Sequence, residues 1–152
     1  MKRYNRLIFV SASDTCRSPM AEAIMKTKFL LGSLEIHSRG LVALFPEPVN
    51  QKAEAILVSN GLSMKEHTSV ELSAADMDKD TLILTMEGDQ KNKILSEYDD
   101  AENVYTFMEY LGYEGEIKAP YGGALVDYGE CYETLELLIK QLVIKLNEEE
   151  IL

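Results

Sequence analysis

The strongest constraint on the fold is a strand, loop and helix pattern close to the N-terminus. Residues 6–12 are mostly apolar and include the β-branched Ile8 and Val10 and the aromatic Phe9, which predicts a buried strand. The polar loop 11–17 overlaps the end of this strand, and Ser18 and Pro19 then favour an N-cap and a first helical position. Such a segment directs backbone N–H groups and a helix N-terminus at one point, so it predicts a site for an anion.

Arg17 at the end of this loop makes phosphate the favoured anion. Its guanidinium carries a planar fork of donors that suits a tetrahedral phosphate. The alternative is that Arg17 only anchors the loop through a carboxylate such as Asp14. The position of Arg17 at the end of the loop favours contact with the anion.

Further strands and helices alternate along the rest of the chain. Strands are predicted at 34–38, 81–86 and 103–107, and helices near 18–31, 50–60, 89–98 and 127–147. This alternation, with right-handed crossovers, predicts an α/β fold. We expect residues 1–152 to form a single three-layer doubly wound domain, with a four-stranded parallel sheet flanked by helices. In such sheets ligands bind at the carboxyl ends of the strands, where the loop after the first strand lies.

Residues 15–22, Thr-Cys-Arg-Ser-Pro-Met-Ala-Glu, resemble a known signature. It is that of the low-molecular-weight protein tyrosine phosphatases, Cys-x-Gly-Asn-x-Cys-Arg-Ser-Pro-x-Ala-Glu. The resemblance is to the bacterial type of this family, which includes phosphoarginine phosphatase-like members, and relatives that act on phosphoarginine also have threonine at the position of Thr15. The resemblance implies a nucleophilic cysteine at the position of Ser11, whose thiolate attacks phosphorus to give a phosphocysteine.

The chain departs from this pattern at the groups that react. Ser11 stands where the family has its cysteine, and Ser13-Asp14 where it has Gly-Asn. Ala119-Pro120-Tyr121 resembles the family's acid loop, but alanine replaces the aspartate that protonates the leaving group. Loss of a general acid typically costs about 100- to 10,000-fold in rate, and a serine hydroxyl needs an adjacent base. We therefore expect a catalytically impaired pseudophosphatase that binds phosphate or a phosphorylated side chain through loop 11–17.

Two other functions stay open. The chain is an active phosphatase for phosphotyrosine or phosphoarginine if Ser11 reacts by its own route, or if Ser11 stands in for a natural cysteine. A redox or arsenate-reductase-like protein shares this fold, but that chemistry needs a thiol in the loop and further cysteines as relays.

The resemblance also assigns residues around the loop. Asp14, Ser18, Ser38 and His67 correspond to a hydrogen-bond network that supports the loop, with an Asp–His ion pair in place of an amide contact. Aspartate tolerates the left-handed backbone that such loops need. A carboxylate turned toward the anion site that loop 11–17 encloses, called the cradle below, would instead repel phosphate. The predicted site comprises Ser11 and Ala119 at the two catalytic positions, the phosphate-binding residues Ser11, Ala12, Ser13, Asp14, Thr15, Cys16 and Arg17, the supporting residues Ser18, Ser38 and His67, and the rim residues Pro120 and Tyr121.

Composition narrows the class of partner. The net charge of −11 disfavours nucleic acid, which needs a basic face. No apolar run is long enough to span a membrane and no signal peptide is apparent, so we expect a cytoplasmic protein. Cys16 and Cys131 predict neither a disulfide framework nor a metal site. We expect no cofactor and no metal, and a phosphorylated protein side chain as the partner. Asp127 is a conceivable replacement acid, although a favourable charge at a helix start explains it more simply.

Overall fold

A four-stranded parallel sheet forms the centre of the chain. The computed structural model describes residues 4–151, so both ends of the predicted domain, 1–3 and 152, lie outside the described residues. The strands are β1 (Arg6–Ser11), β2 (Glu35–Gly40), β3 (Thr81–Thr85) and β4 (Val104–Thr106), in the order β2-β1-β3-β4. All neighbouring strands pair in parallel. The predicted α/β architecture is confirmed.

Helices cover both faces of this sheet. They are α1 (Arg17–Met25), α2 (Gln51–Ser59), α3 (Gly88–Glu97), α4 (Phe107–Tyr110) and α5 (Leu125–Ile151), with a short 3₁₀ turn over Ala74–Asp76. The buried side chains of β1 alternate: Leu7 and Phe9 pack with α1, α2 and α5, whereas Ile8 and Val10 pack with α3 on the other face. This two-sided burial follows from the period of two of a strand. Within residues 4–151, none of the helices is long and apolar enough to cross a membrane.

The first helix is shorter than predicted. It ends at Met25, because the chain tightens into turns in which Thr27 N donates to Ile24 O at 3.0 Å and the Thr27 hydroxyl donates to the same carbonyl at 2.7 Å. A threonine hydroxyl that takes a helix carbonyl competes with the helical ladder. The apolar residues beyond this turn, Phe29 and Leu31, are exposed, so their helix-like spacing does not describe a buried face. The predicted helical end near residue 31 is therefore wrong.

The fourth strand is also short, and it leads into a helix that the sequence did not predict. Thr106 ends β4 and caps α4, where its hydroxyl accepts a hydrogen bond from Glu109 N at 3.0 Å. The Glu109 carboxylate in turn accepts from Thr106 N at 2.8 Å, which completes a capping box. Phe107, predicted to continue the strand, instead starts α4 and is fully buried.

β1 positions the loop that the sequence singled out. β1 lies between β2 and β3 in the sheet. The order of the strands reverses here, and in parallel α/β sheets such a switch point opens a crevice at the carboxyl ends of the strands. Ser11 is the last residue of β1 and pairs with Gly40 of β2. The loop between Ser11 and α1 therefore begins at this crevice.

Candidate phosphate-binding site

The carbonyl groups of the loop point into the surrounding scaffold. Ser11 O accepts from Leu41 N at 3.0 Å, Ala12 O from Val42 N at 3.1 Å and Thr15 O from Asn50 N at 2.7 Å. These donors lie after β2 and at the start of α2. Three carbonyl groups of the loop are thus fixed by groups outside the loop. The N–H groups of the same peptides therefore point the other way, into the cradle.

The N–H groups on that opposite edge are left for a ligand. Within residues 4–151, the N–H groups of Ser13, Thr15 and Cys16 donate no hydrogen bond to the protein. The N–H of Asp14 is the exception, since it donates to Ser11 Oγ at 3.3 Å. A concave run of backbone donors that leads into a helix N-terminus is an anion-binding arrangement.

Arg17 lies beneath this loop with only 2% of its side chain exposed. Its Nη1 donates to Ile117 O at 2.7 Å and to Glu87 Oε1 at 3.0 Å. Its Nε is buried and has no hydrogen-bond partner among the described residues. Buried donors are nearly always paired, so a free guanidinium N–H at the base of the loop is suited to an anion. The anchoring carboxylate is Glu87, not the Asp14 considered from the sequence.

A chain of hydrogen bonds runs from the nucleophile position away from the cradle. Ser11 Oγ and Ser18 Oγ are 2.7 Å apart, and Ser18 Oγ donates to Asp14 Oδ1 at 2.8 Å. The other carboxylate oxygen of Asp14 accepts from Val70 N at 3.0 Å and lies 3.2 Å from His67 Nε2. All four side chains are largely or wholly shielded from solvent.

Asp14 is the centre of this chain. It is fully buried and has a φ of 59°, the left-handed backbone that aspartate tolerates better than most residues. Its carboxylate is taken up by donors behind the loop, so it does not face the cradle. Burial favours the neutral form of His67, but the hydrogen bonds and charge of Asp14 outweigh this and raise the pKa of His67.

Two predicted roles in this region are wrong. Ser18 was expected to cap α1, but the helix begins at Arg17 with Cys16 at the N-cap, and no side chain caps it. The reason is that the Ser18 hydroxyl is used by Ser11 and Asp14 instead. Ser38 was expected in the same network, yet its buried Oγ has no partner among residues 4–151.

The loop that contains Ala119, the position of the general acid in the family pattern, lies at the mouth of the cradle. The Tyr121 hydroxyl is 3.1 Å from Ser13 Oγ and 3.0 Å from Thr15 Oγ1, and these two oxygens are 2.8 Å apart. Ala119 and Pro120 precede this contact and are half-buried. Alanine has no group that can exchange a proton, so this position offers no general acid.

Asp127, the conceivable replacement acid, is used at the start of α5. Its carboxylate accepts from Ala124 N at 2.8 Å, which fits the simpler explanation of a helix-start charge. Across the described part of the chain, no group of three or more His, Cys, Asp or Glu side chains is arranged to hold a metal ion.

The two cysteines lie in different helical elements but touch one another. Cys16, at the start of α1, and Cys131, in α5, are buried free thiols. A hydrogen bond with Cys131, together with burial, raises the pKa of the Cys16 thiol. A raised pKa disfavours the thiolate, which is the nucleophilic form of cysteine, and the side chain of Cys16 is fully buried in the core.

Several residues of the site have no sequence signal of their own. Glu87 and Val70 are brought to the loop by long-range folding, and Gly40 is matched to it only by the strand register. A shallow groove beside Ser13 is lined by the apolar loop after β2, including the exposed side chains of Leu44 and Phe45. Only a three-dimensional arrangement identifies these neighbours.

The loop at the end of β1, an inner strand of a parallel α/β sheet, leaves backbone N–H groups and the buried Nε of Arg17 for an anion. The family model described as low molecular weight phosphotyrosine protein phosphatase matches residues 6–151. The chain belongs to this family.

Individual relatives agree with that assignment. The low molecular weight protein-tyrosine-phosphatase PtpB of Staphylococcus haemolyticus is 36% identical over 137 residues, covering 90% of this chain and 96% of that protein. A protein-arginine-phosphatase of Geobacillus stearothermophilus is 32% identical over 147 residues, covering 95% of this chain and 98% of that protein. A solved structure of the YwlE arginine phosphatase, a cysteine-to-serine mutant with a phosphorylated active-site serine, superposes with a TM-score of 0.86 at 32% identity and covers 93% of this chain and 95% of that one.

Proposed function

We propose that this chain is a catalytically impaired member of its family that binds phosphate or a phosphorylated protein side chain through loop 11–17. The observation that carries the proposal is the buried Nε of Arg17, which has no partner within residues 4–151. An unpaired buried donor costs about 1–3 kcal/mol, and an anion in the cradle relieves that cost. The free N–H groups of Ser13, Thr15 and Cys16 on the same loop add further donors.

The impaired turnover follows from the two catalytic positions. Ser11 carries a hydroxyl where the resemblance implies a thiol, and Ala119 carries no acid. Without an acid and with a weaker nucleophile, turnover of an aryl phosphate falls by at least the roughly 100- to 10,000-fold attributed to general acid catalysis alone. The donors that carry binding in this proposal, the loop N–H groups and Arg17 Nε, do not include the Ser11 hydroxyl or the Ala119 side chain, so the loop keeps its affinity while the reaction slows.

The relatives supply the class of ligand. Phosphotyrosine and phosphoarginine are the side chains that the names of PtpB and the arginine phosphatase indicate for those proteins. The structure with a phosphorylated active-site serine indicates that a serine in this cradle accommodates a phosphoryl group in that relative. We extend this class of ligand, and a serine that accommodates a phosphoryl group, to this chain as a proposal. We also propose that residues 1–152 form one domain. The cytoplasm is the proposed location, since two buried free thiols fit a reducing compartment.

A paired measurement on one sample tests this function. Hydrolysis of p-nitrophenyl phosphate is followed optically, and binding of inorganic phosphate is followed by calorimetry. We expect binding without sustained turnover, and Arg17→Met, which removes the guanidinium but keeps an unbranched side chain, to abolish the binding. Ser96→Ala is the matched surface control, because Ser96 is exposed on α3 and its hydroxyl donates to Lys93 O of the same helix at 2.9 Å.

Two results would contradict the proposal. Absence of a binding signal at high phosphate concentration removes the binding function. Sustained turnover that disappears in Ser11→Ala would establish the alternative, an active serine-dependent phosphatase.

A further inference from the structure

A line of exposed apolar side chains runs along the outer face of α5. Leu137, Ile144 and Ile151 are 60%, 59% and 72% exposed. They follow one another at intervals of seven residues, so they lie on one face of the helix, about 10 Å apart at about 1.5 Å per residue. Single exposed apolar residues are common on protein surfaces, but a repeated set on one helix face marks an interaction surface.

Two charged side chains lie between them on the same face. Lys140 and Glu148 are exposed, and neither side chain forms an ion pair or a hydrogen bond within residues 4–151. Lys145, by contrast, lies 3.8 Å from Glu149 on the same helix. The five outward side chains form what we call the 137–151 face: Leu137, Lys140, Ile144, Glu148 and Ile151.

The 137–151 face is symmetric about Ile144. Leu137 and Ile151 lie seven residues to either side, and Lys140 and Glu148 lie four residues to either side. When two identical helices pack antiparallel about a two-fold axis at Ile144, each residue meets the one at the same distance on the other side of the axis. Leu137 then meets Ile151, Lys140 meets Glu148, and Ile144 meets its own copy. The face is therefore complementary to itself in both apolar character and charge.

We propose that the 137–151 face is a docking surface for a second copy of this chain, with the two α5 helices antiparallel. The proposal goes beyond the phosphate-binding function and does not depend on it. A parallel pair would place Lys140 against Lys140 and Glu148 against Glu148, and like charges across an interface are strongly unfavourable. The order of charges thus selects both the second copy as the occupant and the antiparallel direction.

The loop after α1 widens this surface. The side-chain amide of Asn147 accepts from Leu31 N at 2.9 Å and donates to Phe29 O at 3.5 Å, which holds the loop beside the second half of α5. Phe29 and Leu31 are both exposed. Specific interfaces usually bury about 1,200–2,000 Å², and one helix face of this length provides only part of that area. These two side chains add apolar surface, and we expect a dimer that dissociates on dilution.

The antiparallel arrangement leaves both cradles outside the interface. α5 begins at Leu125, shortly after Tyr121 at the mouth of the cradle. Ile144, on the axis, lies nineteen residues further along the helix, which corresponds to about 28 Å. The two cradles therefore lie toward opposite ends of the helix pair, and phosphate binding should not depend on assembly.

Sedimentation equilibrium over a concentration series that reaches the millimolar range tests the proposal. Wild type should pass from monomer to dimer as its concentration rises. Ile144→Lys places two like charges on the two-fold axis and should raise the dissociation constant at least about tenfold. Val58→Lys is the matched control, because Val58 of α2 is also 59% exposed but lies outside the 137–151 face. This control should dimerise like wild type.

A charge swap tests the pairing of Lys140 with Glu148. Lys140→Glu places a carboxylate opposite Glu148 of the second copy and should also weaken the dimer at least about tenfold. Adding Glu148→Lys brings opposite charges together again and should return the dissociation constant close to the wild-type value. Lys79→Glu is the control for net charge, because Lys79 is exposed and has no ion pair within the described residues.

Cysteine crosslinking with copper phenanthroline distinguishes the two helix directions. Ile144→Cys should form an intermolecular disulfide, because the two sulfurs meet on the axis. Leu137→Cys should not, since its two copies lie about 21 Å apart along an antiparallel pair. Wild type, whose two thiols are buried, should form no crosslink and is the control.

Three results would overturn the proposal. A monomer at every concentration of wild type removes the docking surface. A dimer that keeps its dissociation constant in Ile144→Lys or in Lys140→Glu is held together by a different surface. Efficient crosslinking of Leu137→Cys to itself excludes the antiparallel direction. Calorimetry with inorganic phosphate on the same samples keeps the two functions apart, because failure of phosphate binding in a dimeric wild type refutes only the proposed function.

Discussion

Gly40 is the position where one added methyl group should disturb the cradle most directly. A Cβ at Gly40 would lie 2.7 Å from the carbonyl carbon of Ser13 and 2.9 Å from Asp14 N. Normal carbon contacts are about 3.5–4.0 Å, so Gly40→Ala requires a shift of about 1 Å between β2 and the loop. Both neighbours are backbone atoms, which cannot turn aside as a side chain can.

Neither side of this contact is free to move. Gly40 N donates to Val70 O at 2.9 Å, and Gly40 O accepts from Leu72 N at 2.8 Å. The loop is fixed by its own carbonyl contacts and by Asp14. Overpacking of this kind typically costs about 1–3 kcal/mol, and the reduced freedom of the unfolded chain returns about 0.4–1 kcal/mol. For a domain of this length we therefore expect the melting temperature to fall by several degrees, at about 2–4 °C per kcal/mol.

The effect on binding should exceed the effect on stability. The displaced peptides are those whose N–H groups surround the anion, so a shift of this size should weaken phosphate affinity by at least about tenfold, the equivalent of about 1.4 kcal/mol. Calorimetry and thermal unfolding measure the two quantities. Gly129→Ala in α5 is the matched control: its Cβ would lie 3.6 Å from Ile56 Cδ1 of α2, and alanine in a helix gains up to about 1 kcal/mol over glycine. Unchanged phosphate affinity in Gly40→Ala would refute the assignment of this loop as the binding element.

Two further predictions concern groups that hold the loop. Asp14 raises the pKa of His67 despite burial, so the stabilisation from the imidazolium is fully present below its ordinary pKa of about 6.5 and is lost as pH rises through the raised value. The difference in free energy of unfolding between wild type and His67→Gln should therefore shrink from pH 6 to pH 9 in urea titrations, and a constant difference would contradict the ion pair. Glu87→Ala leaves the buried Arg17 without its carboxylate and should lower the free energy of unfolding by about 1–3 kcal/mol. Glu87→Gln keeps an acceptor and should cost less. Equal unfolding midpoints for wild type and both variants would show that the contact between Arg17 and Glu87 contributes nothing to stability.

The fold could be predicted from the sequence because its main signals are local. Apolar strands such as 81–86 alternate with helical spacing, and that alternation leaves few topologies for a chain of this length. The errors occur where a single hydroxyl decides the local structure. Thr27 ends α1 and Thr106 starts α4 by bonds of their side chains to backbone groups, and such competition is not visible in hydrophobic periodicity.

The site was predictable where residues are adjacent and not where they come from distant segments. The predicted phosphate-binding loop is one continuous segment, 11–17, so its residues could be proposed together from the sequence. Glu87, Val70 and Gly40 reach the loop only through strand order and register. Ser38 shows the opposite failure, because a residue assigned to the network by resemblance lacks any hydrogen-bond partner within the described residues.

The commitment of the Ser18 hydrogen to Asp14 predicts how the family's chemistry could be restored. In Ser11→Cys alone, Ser18 has no hydrogen to donate to the introduced sulfur, and the Asp14 carboxylate nearby disfavours a thiolate by charge. Adding Asp14→Asn removes that charge and supplies an amide N–H to Ser18, which frees the Ser18 hydrogen for the thiolate. The double variant should therefore be alkylated by iodoacetamide at lower pH than the single variant, with Cys16 and Cys131 replaced by alanine in both so that only one thiol reports. Equal pH profiles would show that Asp14 does not control the charge at position 11, and turnover should appear only when Ala119→Asp is added to the thiolate-forming background.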